Sequence, residues 1–227
     1  VALRARGNRQ FESIVLGNLG ELHLAQDRPE QAATELAAAL AIQRESGLRR
    51  NEGFTLTTLA LLLRKLGRLD AAREAGLRAI EVCAETRNPV SQIIALCDLA
   101  TLELLCGNPE ACADALDRAD ALATQPHTRR NRDEFATPVR LRLALARGDM
   151  SAAQARLAEV QTLAADPGAE QEVRDAAQAA QAAMQAPLLW HGYAPDELRP
   201  ELRAALLARA ARPVEPQLAR AMEPPRG

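Results

Sequence analysis

The sequence predicts an all-α protein built as a solenoid of stacked helical hairpins, and three observations support this fold class. Leucine and alanine, which are strong helix formers, supply the apolar mass of a chain that is 48% hydrophobic but only 2% aromatic. No segment alternates apolar and polar residues over the length of a strand. Related segments also recur at a nearly constant interval, which is typical of a repeat architecture.

Four related segments define the repeat. They begin at Asp27, Gly67, Gly107 and Gly148, so successive units start at a nearly constant spacing. Each unit of a helical repeat buries its apolar face against its neighbours, so units stacked in sequence order form one extended core.

The positions that recur are those that a helical hairpin needs. Leucines three or four residues apart form a buried stripe, and small residues let two helix axes approach closely. The recurring leucines are Leu16, Leu56 and Leu96, followed by Leu19, Leu59 and Leu99. The recurring small residues are Ala32, Ala72, Cys112 and Ala153, followed by Ala39, Ala79 and Ala119. Gly20 stands where later units have Ala60 and Ala100, and a close helix contact would offset the cost of about 1 kcal/mol for a glycine inside a helix.

One unit shows a familiar pattern in Leu19, Gly20, His23, Ala32, Leu36 and Ala39. This pattern resembles the tetratricopeptide repeat (TPR) in its spacing. The period, about 40 residues, is longer than the usual period of about 34, and the aromatic residues and closing proline of the family are missing. The chain is therefore more similar to the longer variant found in bacterial regulators of the maltose-activator type and in kinesin light chain. The resemblance covers about residues 7–166 and implies a right-handed superhelix.

The repeat predicts a domain organisation. The solenoid would span residues 1–166, with repeats at about 7–46, 47–86, 87–126 and 127–166. Residues 1–6 align with the end of a preceding unit, so we expect the chain to be a C-terminal fragment of a longer protein. A breaker cluster at Asp166-Pro167-Gly168 precedes a predicted capping helix at 167–186 and a C-terminal extension with a proline-rich tail at 187–227.

Composition argues against several classes of function. A net charge of -2 and a pI near 6.0 lack the basic excess of nucleic-acid-binding domains. No apolar run reaches the roughly 18 residues of a membrane span, and the first residues lack a signal-peptide core. We therefore expect a cytoplasmic protein that binds neither nucleic acid nor membrane.

The sequence also lacks the patterns of catalytic and metal sites. There is no glycine-rich phosphate loop, no HExxH and no GxSxG, and the three histidines lie far apart. The four cysteines show no CxxC spacing and sit in helical patterns, which favours small buried thiols over zinc ligands or disulfides. We predict no enzyme, no catalytic residue, no metal and no cofactor.

The TPR resemblance implies a concave groove lined by the first helix of each unit, at its second, sixth and ninth positions. The second positions are apolar and comprise Ile14, Phe54, Ile94 and Phe135. The other candidate groove residues are Asn18, Glu21, Thr58, Leu61, Asp98, Thr101 and Arg142. The apolar set could seat a peptide or an amphipathic helix, but such stripes also serve as packing between neighbouring units. The mixed polar set does not predict a carboxylate clamp.

Two functions fit this groove. The first is a protein-interaction scaffold that binds a peptide or partner domain, and the second is the sensor arm of a multidomain ATPase or transcriptional regulator, whose partner is another domain of the same protein. The segment containing His127, Arg129, Arg130 and Arg132 is interpreted as a solvated connection between units. Pro138 predicts that the next helix either starts near Thr137 or kinks there.

Overall fold

The computed structural model describes residues 9–165 and Arg174, and residues 9–165 form helices joined by short turns, without a strand. The described helices are α1 (Arg9–Ala25), α2 (Pro29–Glu45), α3 (Arg49–Lys65), α4 (Leu69–Glu85), α5 (Pro89–Leu105), α6 (Pro109–Leu122), α7 (Pro126–Ala146) and α8 (Met150–Ala164). The predicted all-α class is confirmed. The right-handed superhelix stays a prediction. Residues 1–6, the C-terminal extension and the predicted capping helix, apart from Arg174, lie outside the described residues.

Two compact units divide the chain within α5, between Ala95 and Leu96. In the first unit α1 packs on α2, α2 on α3, and α3 on α4, and α1 also contacts α3. In the second unit α7 packs on both α6 and α8. Each contact joins helices close in the sequence, as expected of a stack of hairpins.

The first five helices start at a constant spacing, and each is 17 residues long. After each of them one residue adopts a positive φ, and this residue is Asp27, Gly47, Gly67, Arg87 or Gly107. The next backbone N–H donates to the carbonyl five residues earlier, as Leu48 does to Gln43 at 2.8 Å and Asn88 to Cys83 at 2.9 Å. This Schellman arrangement pairs the last helix carbonyls and reverses the chain into the next helix.

Two of these left-handed positions, Asp27 and Arg87, carry residues other than glycine, so Arg87 and a glycine position predict opposite effects of substitution. Arg87 adopts a φ of 51°, a conformation that costs an L-residue roughly 1–2 kcal/mol, whereas Gly67 adopts 75° without that cost. We expect Arg87→Gly to stabilise the fold by about 0.5–1 kcal/mol, because glycine relieves the strain but has more freedom to lose on folding. Gly67→Ala, the matched change, should destabilise it. Urea unfolding of both variants checks this, and a lower midpoint for Arg87→Gly contradicts it.

Small residues make the helix contacts as predicted. Ala32, Cys112 and Ala153 are fully buried, and Ala72 is nearly so. A Cβ added at Gly20 would lie 2.6 Å from Cγ of the buried Leu36, so α1 and α2 approach more closely there than any side chain at that position permits. The close contact expected from the mid-helix glycine is confirmed.

A chain of ion pairs ties α2, α3 and α4 together. The Glu52 carboxylate is 1% exposed and binds Arg44 (Nε–Oε1 3.1 Å) and Arg49 (Nη1–Oε2 2.6 Å). Arg49 also pairs with Glu85, a contact that repeats the Arg9–Glu45 pair at the equivalent positions of the preceding unit. The hydrogen bond between Arg49 and Glu85 raises the pKa of the guanidinium and lowers the pKa of the carboxyl.

The start of α7 differs from the sequence interpretation. The segment at 127–132 is not a connection between units but the first turns of α7, which begins at Pro126, so a start near Thr137 is wrong. Pro126 suits the first turn because its missing N–H would have no helical partner there. Gln125 caps the helix, and its backbone N–H donates to Thr128 Oγ1 at 3.0 Å.

Asp120, at the end of α6, binds α7 on both sides of Pro138. Arg132 Nη1 reaches Asp120 Oδ1 at 2.7 Å, and Arg140 Nη2 reaches Oδ2 at 2.5 Å. Burial opposes ionisation of this carboxyl, but the hydrogen bonds from Arg140 and Arg132 outweigh it and lower the pKa of Asp120. These two contacts hold both halves of α7 against α6, although Pro138 removes one backbone donor from the helix.

Candidate functional site

The four apolar groove candidates are buried to a similar extent. Ile14, Phe54, Ile94 and Phe135 are all half-buried, each on the first helix of its predicted hairpin. A half-buried side chain can pack against a neighbouring unit on one side and offer its other side to a ligand. Their role in a groove therefore stays a prediction.

The remaining candidates divide by exposure. Asn18 and Glu21 are exposed, whereas Leu61, Asp98 and Arg142 are half-buried. Thr58 and Thr101 are each only 7% exposed. Their hydroxyls donate to carbonyls of their own helices, Thr58 to Phe54 O at 3.4 Å and Thr101 to Cys97 O at 3.0 Å. Such hydrogen bonds to the preceding turn are common for helical threonines, so these two hydroxyls are already engaged.

The first of the two compact units contains a pocket of about 190 Å³ between α1, α3 and the start of α5. It brings together three of the predicted groove residues, Ile14, Asn18 and Phe54. The other lining residues are Ser13, Gly17, Gln43, Arg50, Asn51, Thr55, Asn88 and Ser91. A cavity of this size accommodates a side chain or a short piece of backbone, and it is far smaller than a typical drug-sized site.

Two lining residues, Gln43 and Thr55, are polar at positions where other repeats have apolar ones. Thr55 replaces the apolar residues Val15 and Ala95, and Gln43 replaces Cys83. Asn51 and Asn88 are less unusual, because the equivalent positions carry Phe11 and Leu48 in one repeat but the polar residues Ser91 and Asn8 in another. Gln43 and Thr55 lie on different helices, and they meet at one pocket. Comparing equivalent positions between units would have pointed to them, because a binding site changes a repeat only where a ligand touches it.

The inner wall of the pocket is a set of neutral hydrogen-bonding groups. Gln43, at 1% exposure, donates from Nε2 to Thr55 Oγ1 at 3.0 Å, while its buried Oε1 has no hydrogen-bond partner in the described part of the chain. Asn88 Nδ2 donates to Ser91 Oγ at 2.8 Å, and Ser91 N donates back to Asn88 Oδ1 at 3.4 Å. A buried amide oxygen without a donor costs about 1–3 kcal/mol, a penalty that makes Gln43 unusual for a residue with only a packing role.

The pocket has an apolar side and a side lined by hydrogen-bonding groups. Ile14 and Phe54 contribute apolar surface, and Arg50, which is exposed, is the only charged residue among the described residues that line it. None of these described lining residues is acidic, so none of them would offset a buried cation. This lining therefore favours a ligand group that is neutral or acidic and has both apolar and hydrogen-bonding parts.

Three of the four cysteines are buried, and their thiols are raised in pKa. All four are free, and Cys83, Cys97 and Cys112 are buried. Burial raises the pKa of Cys83 and of Cys112 to about 11, and it raises the pKa of Cys97 as well. A thiol is nucleophilic only as a thiolate, so these groups are inert near neutral pH. Within residues 9–165, no cluster of three or more His, Cys, Asp or Glu side chains could hold a metal ion.

The stacked helical hairpins are typical of a TPR-type helical repeat protein. Repeats of this class commonly serve as protein-binding surfaces. The family model of the MalT-like TPR region matches residues 2–209. The chain belongs to this family, and the predicted resemblance is confirmed. No curated protein and no solved structure matches the chain significantly. None of the described helices is long and apolar enough to cross a membrane.

Proposed function

We propose that this chain is a protein-interaction module, without catalytic activity of its own, whose first unit binds a peptide segment of a partner protein. The observation that carries the proposal is the pocket in which Gln43 and Thr55 stand at otherwise apolar repeat positions. An extended peptide would place one side chain against Ile14 and Phe54 and present its backbone amides to Asn18, Asn51 and Arg50. Membership of a TPR-type family supports a binding role but leaves the partner open.

Site-specific photocrosslinking tests this proposal. A photoreactive phenylalanine analogue is placed at Phe54, and the same analogue at Leu77, an exposed apolar residue of α4 away from the pocket, serves as the control. We expect a defined protein to be crosslinked from position 54 and not from position 77. Equal crosslinking from both positions would mean non-specific adsorption.

Substitutions in the pocket then test whether the captured partner uses it. Asn51→Phe introduces the residue that the preceding unit carries at the same place, so we expect it to fold normally and to weaken binding at least tenfold by filling the pocket. Phe54→Ala should weaken binding by roughly 1–3 kcal/mol through loss of an apolar anchor. Calorimetric titration measures both, and unfolding midpoints separate a binding defect from lost packing. Unchanged affinity in both variants would exclude this pocket as the binding site.

The family match favours a second function, the sensor arm of a multidomain regulator. In this function the module would be cytoplasmic, and its partner would be another domain of the same polypeptide. The two functions are distinguished by the sequence encoded upstream of Val1. A GxxxxGK[ST] motif after a strand, or a helix-turn-helix region, would favour the regulator.

A further inference from the structure

The residues that line the pocket change in character with their burial. Arg50 is exposed, and Ile14 and Phe54 are half-buried. Gln43 and Thr55 are fully buried and are hydrogen-bonded to each other. The described lining therefore runs from a polar rim through an apolar middle to a polar base, which Gln43 and Thr55 form.

The base of the pocket contains a hydrogen-bond acceptor without a donor. Gln43 Nε2 donates to Thr55 Oγ1 at 3.0 Å, which fixes the amide, while the buried Oε1 has no partner in the described part of the chain. Other buried polar side chains of the described lining are engaged. Ser13 Oγ donates to a carbonyl of its own helix at 2.9 Å, and Asn88 donates to Ser91 at 2.8 Å. A ligand group that reaches the base therefore meets an acceptor that lacks a donor.

This order of surfaces restricts which side chain of a peptide can fill the pocket. A carboxylate has no hydrogen to donate to Gln43 Oε1, and a buried ammonium would find no acidic group in the described lining. A primary carboxamide can donate, but it offers little apolar surface to Ile14 and Phe54. Tyrosine has an apolar ring between its backbone and a hydroxyl that donates, and a buried tyrosine hydroxyl usually finds a partner.

We propose that the pocket anchors a tyrosine side chain of the partner peptide, with the ring between Ile14 and Phe54 and the hydroxyl donating to Gln43 Oε1. The proposal rests on the peptide-binding function proposed above and specifies the side chain that the same pocket selects. Contact of the ring with Phe54 adds an aromatic pair, which is attractive beyond the area that it buries. The hydroxyl supplies the donor that Gln43 lacks, so binding of tyrosine removes a penalty that binding of phenylalanine leaves in place.

A double variant separates recognition of the hydroxyl from a structural role of the base. Gln43→Leu with Thr55→Val makes the base apolar, as Cys83 and Ala95 make the equivalent positions. Replacing both partners of a hydrogen bond by apolar groups of similar shape is nearly neutral or stabilising. We therefore expect the urea midpoint of the double variant to equal or exceed that of the parent chain. A clearly lower midpoint counts against the proposal, because the amide would then be explained by its structural role.

Nuclear magnetic resonance of the full chain with labelled isoleucine methyl groups measures the selection, because Ile14 lines the pocket. The probes are N-acetyltyrosinamide and N-acetylphenylalaninamide, which differ only in the hydroxyl, and N-acetylglutaminamide, which has a donor without a ring. Each probe is titrated into the parent chain, the double variant and Asn51→Phe. The last variant fills the pocket and is the control for binding elsewhere.

We expect the tyrosine probe to shift the Ile14 methyl signal with a millimolar dissociation constant, at least tenfold below those of the other two probes. The double variant should lose this preference, and Asn51→Phe should lose the shift. Equal affinity for the tyrosine and phenylalanine probes, or a preference that survives in the double variant, would overturn the tyrosine assignment. Crosslinking of a partner from position 54 would still support peptide binding in those cases. Tighter binding of the glutamine probe, a shift that persists in Asn51→Phe, or no shift with any probe would also overturn the assignment.

Discussion

Replacement of Glu52 by alanine is expected to destabilise the protein by roughly 2–4 kcal/mol. The carboxylate is 1% exposed and is shared by Arg44 and Arg49, whose side chains are 18% and 35% exposed. Removing one member of a buried ion pair leaves charged groups poorly solvated, at a typical cost of about 3–5 kcal/mol. The cost here should fall towards or below the lower end of that range, because water still reaches both guanidinium groups. Urea denaturation followed by circular dichroism measures the change.

The junction between the second and third repeats supplies the matched controls for this prediction. At the positions of Arg44, Arg49 and Glu52 it carries Ala84, Pro89 and Gln92, so the repeat loses all the charges together. Arg44→Ala combined with Glu52→Gln should therefore cost less than the sum of the single changes. Glu85→Ala removes only the exposed partner of Arg49 and should have little effect. Additive costs in the double variant would mean that Arg44 and Glu52 are not coupled.

The second large effect is expected at Gly20, where alanine should destabilise the fold by roughly 1–3 kcal/mol. Helix propensity alone would favour alanine by about 1 kcal/mol. The added Cβ, however, would lie 2.6 Å from both Cγ and Cδ2 of Leu36, a side chain with no exposed surface. Overpacking of this kind forces strained rotamers or a backbone shift.

Gly76 is the control for Gly20, because it also lies inside a helix but has room for a Cβ. Its added Cβ would meet only Ala60 Cβ, at an ordinary 3.8 Å. Gly76→Ala should therefore stabilise the protein by about 0.5–1 kcal/mol. Thermal unfolding of both variants gives the comparison. Stabilisation by Gly20→Ala would mean that α1 and α2 can separate at low cost, whereas partial rescue by Leu36→Ala would support the steric account.

The helical hairpins could be predicted because they depend on local patterns. The equally long helices that start at Arg9, Pro29 and Arg49 follow from leucine and alanine spacing, and proline or a left-handed residue marks each turn. Gly20 was recognised in the same way, because a close helix contact would offset the cost of a glycine where later repeats have Ala60 and Ala100. The start of α7 was missed because a charged segment looks like an exposed connection. In the fold this segment is helical, and Arg132 contacts Asp120 on the preceding helix.

The sequence by itself determined the repeat, the helical hairpins and the small-residue contacts, because each depends on residues within one hairpin or on a fixed period. Only the tertiary structure decided where the pocket lies and that Gln43 forms part of its wall, since residues 13, 43, 55 and 88 come together only when three hairpins pack. It also decided which predicted groove hydroxyls are engaged, because Thr58 and Thr101 turn back to their own helices. A periodic pattern specifies which side of a helix is buried, but the neighbour that covers that side depends on the packing of units distant in the sequence.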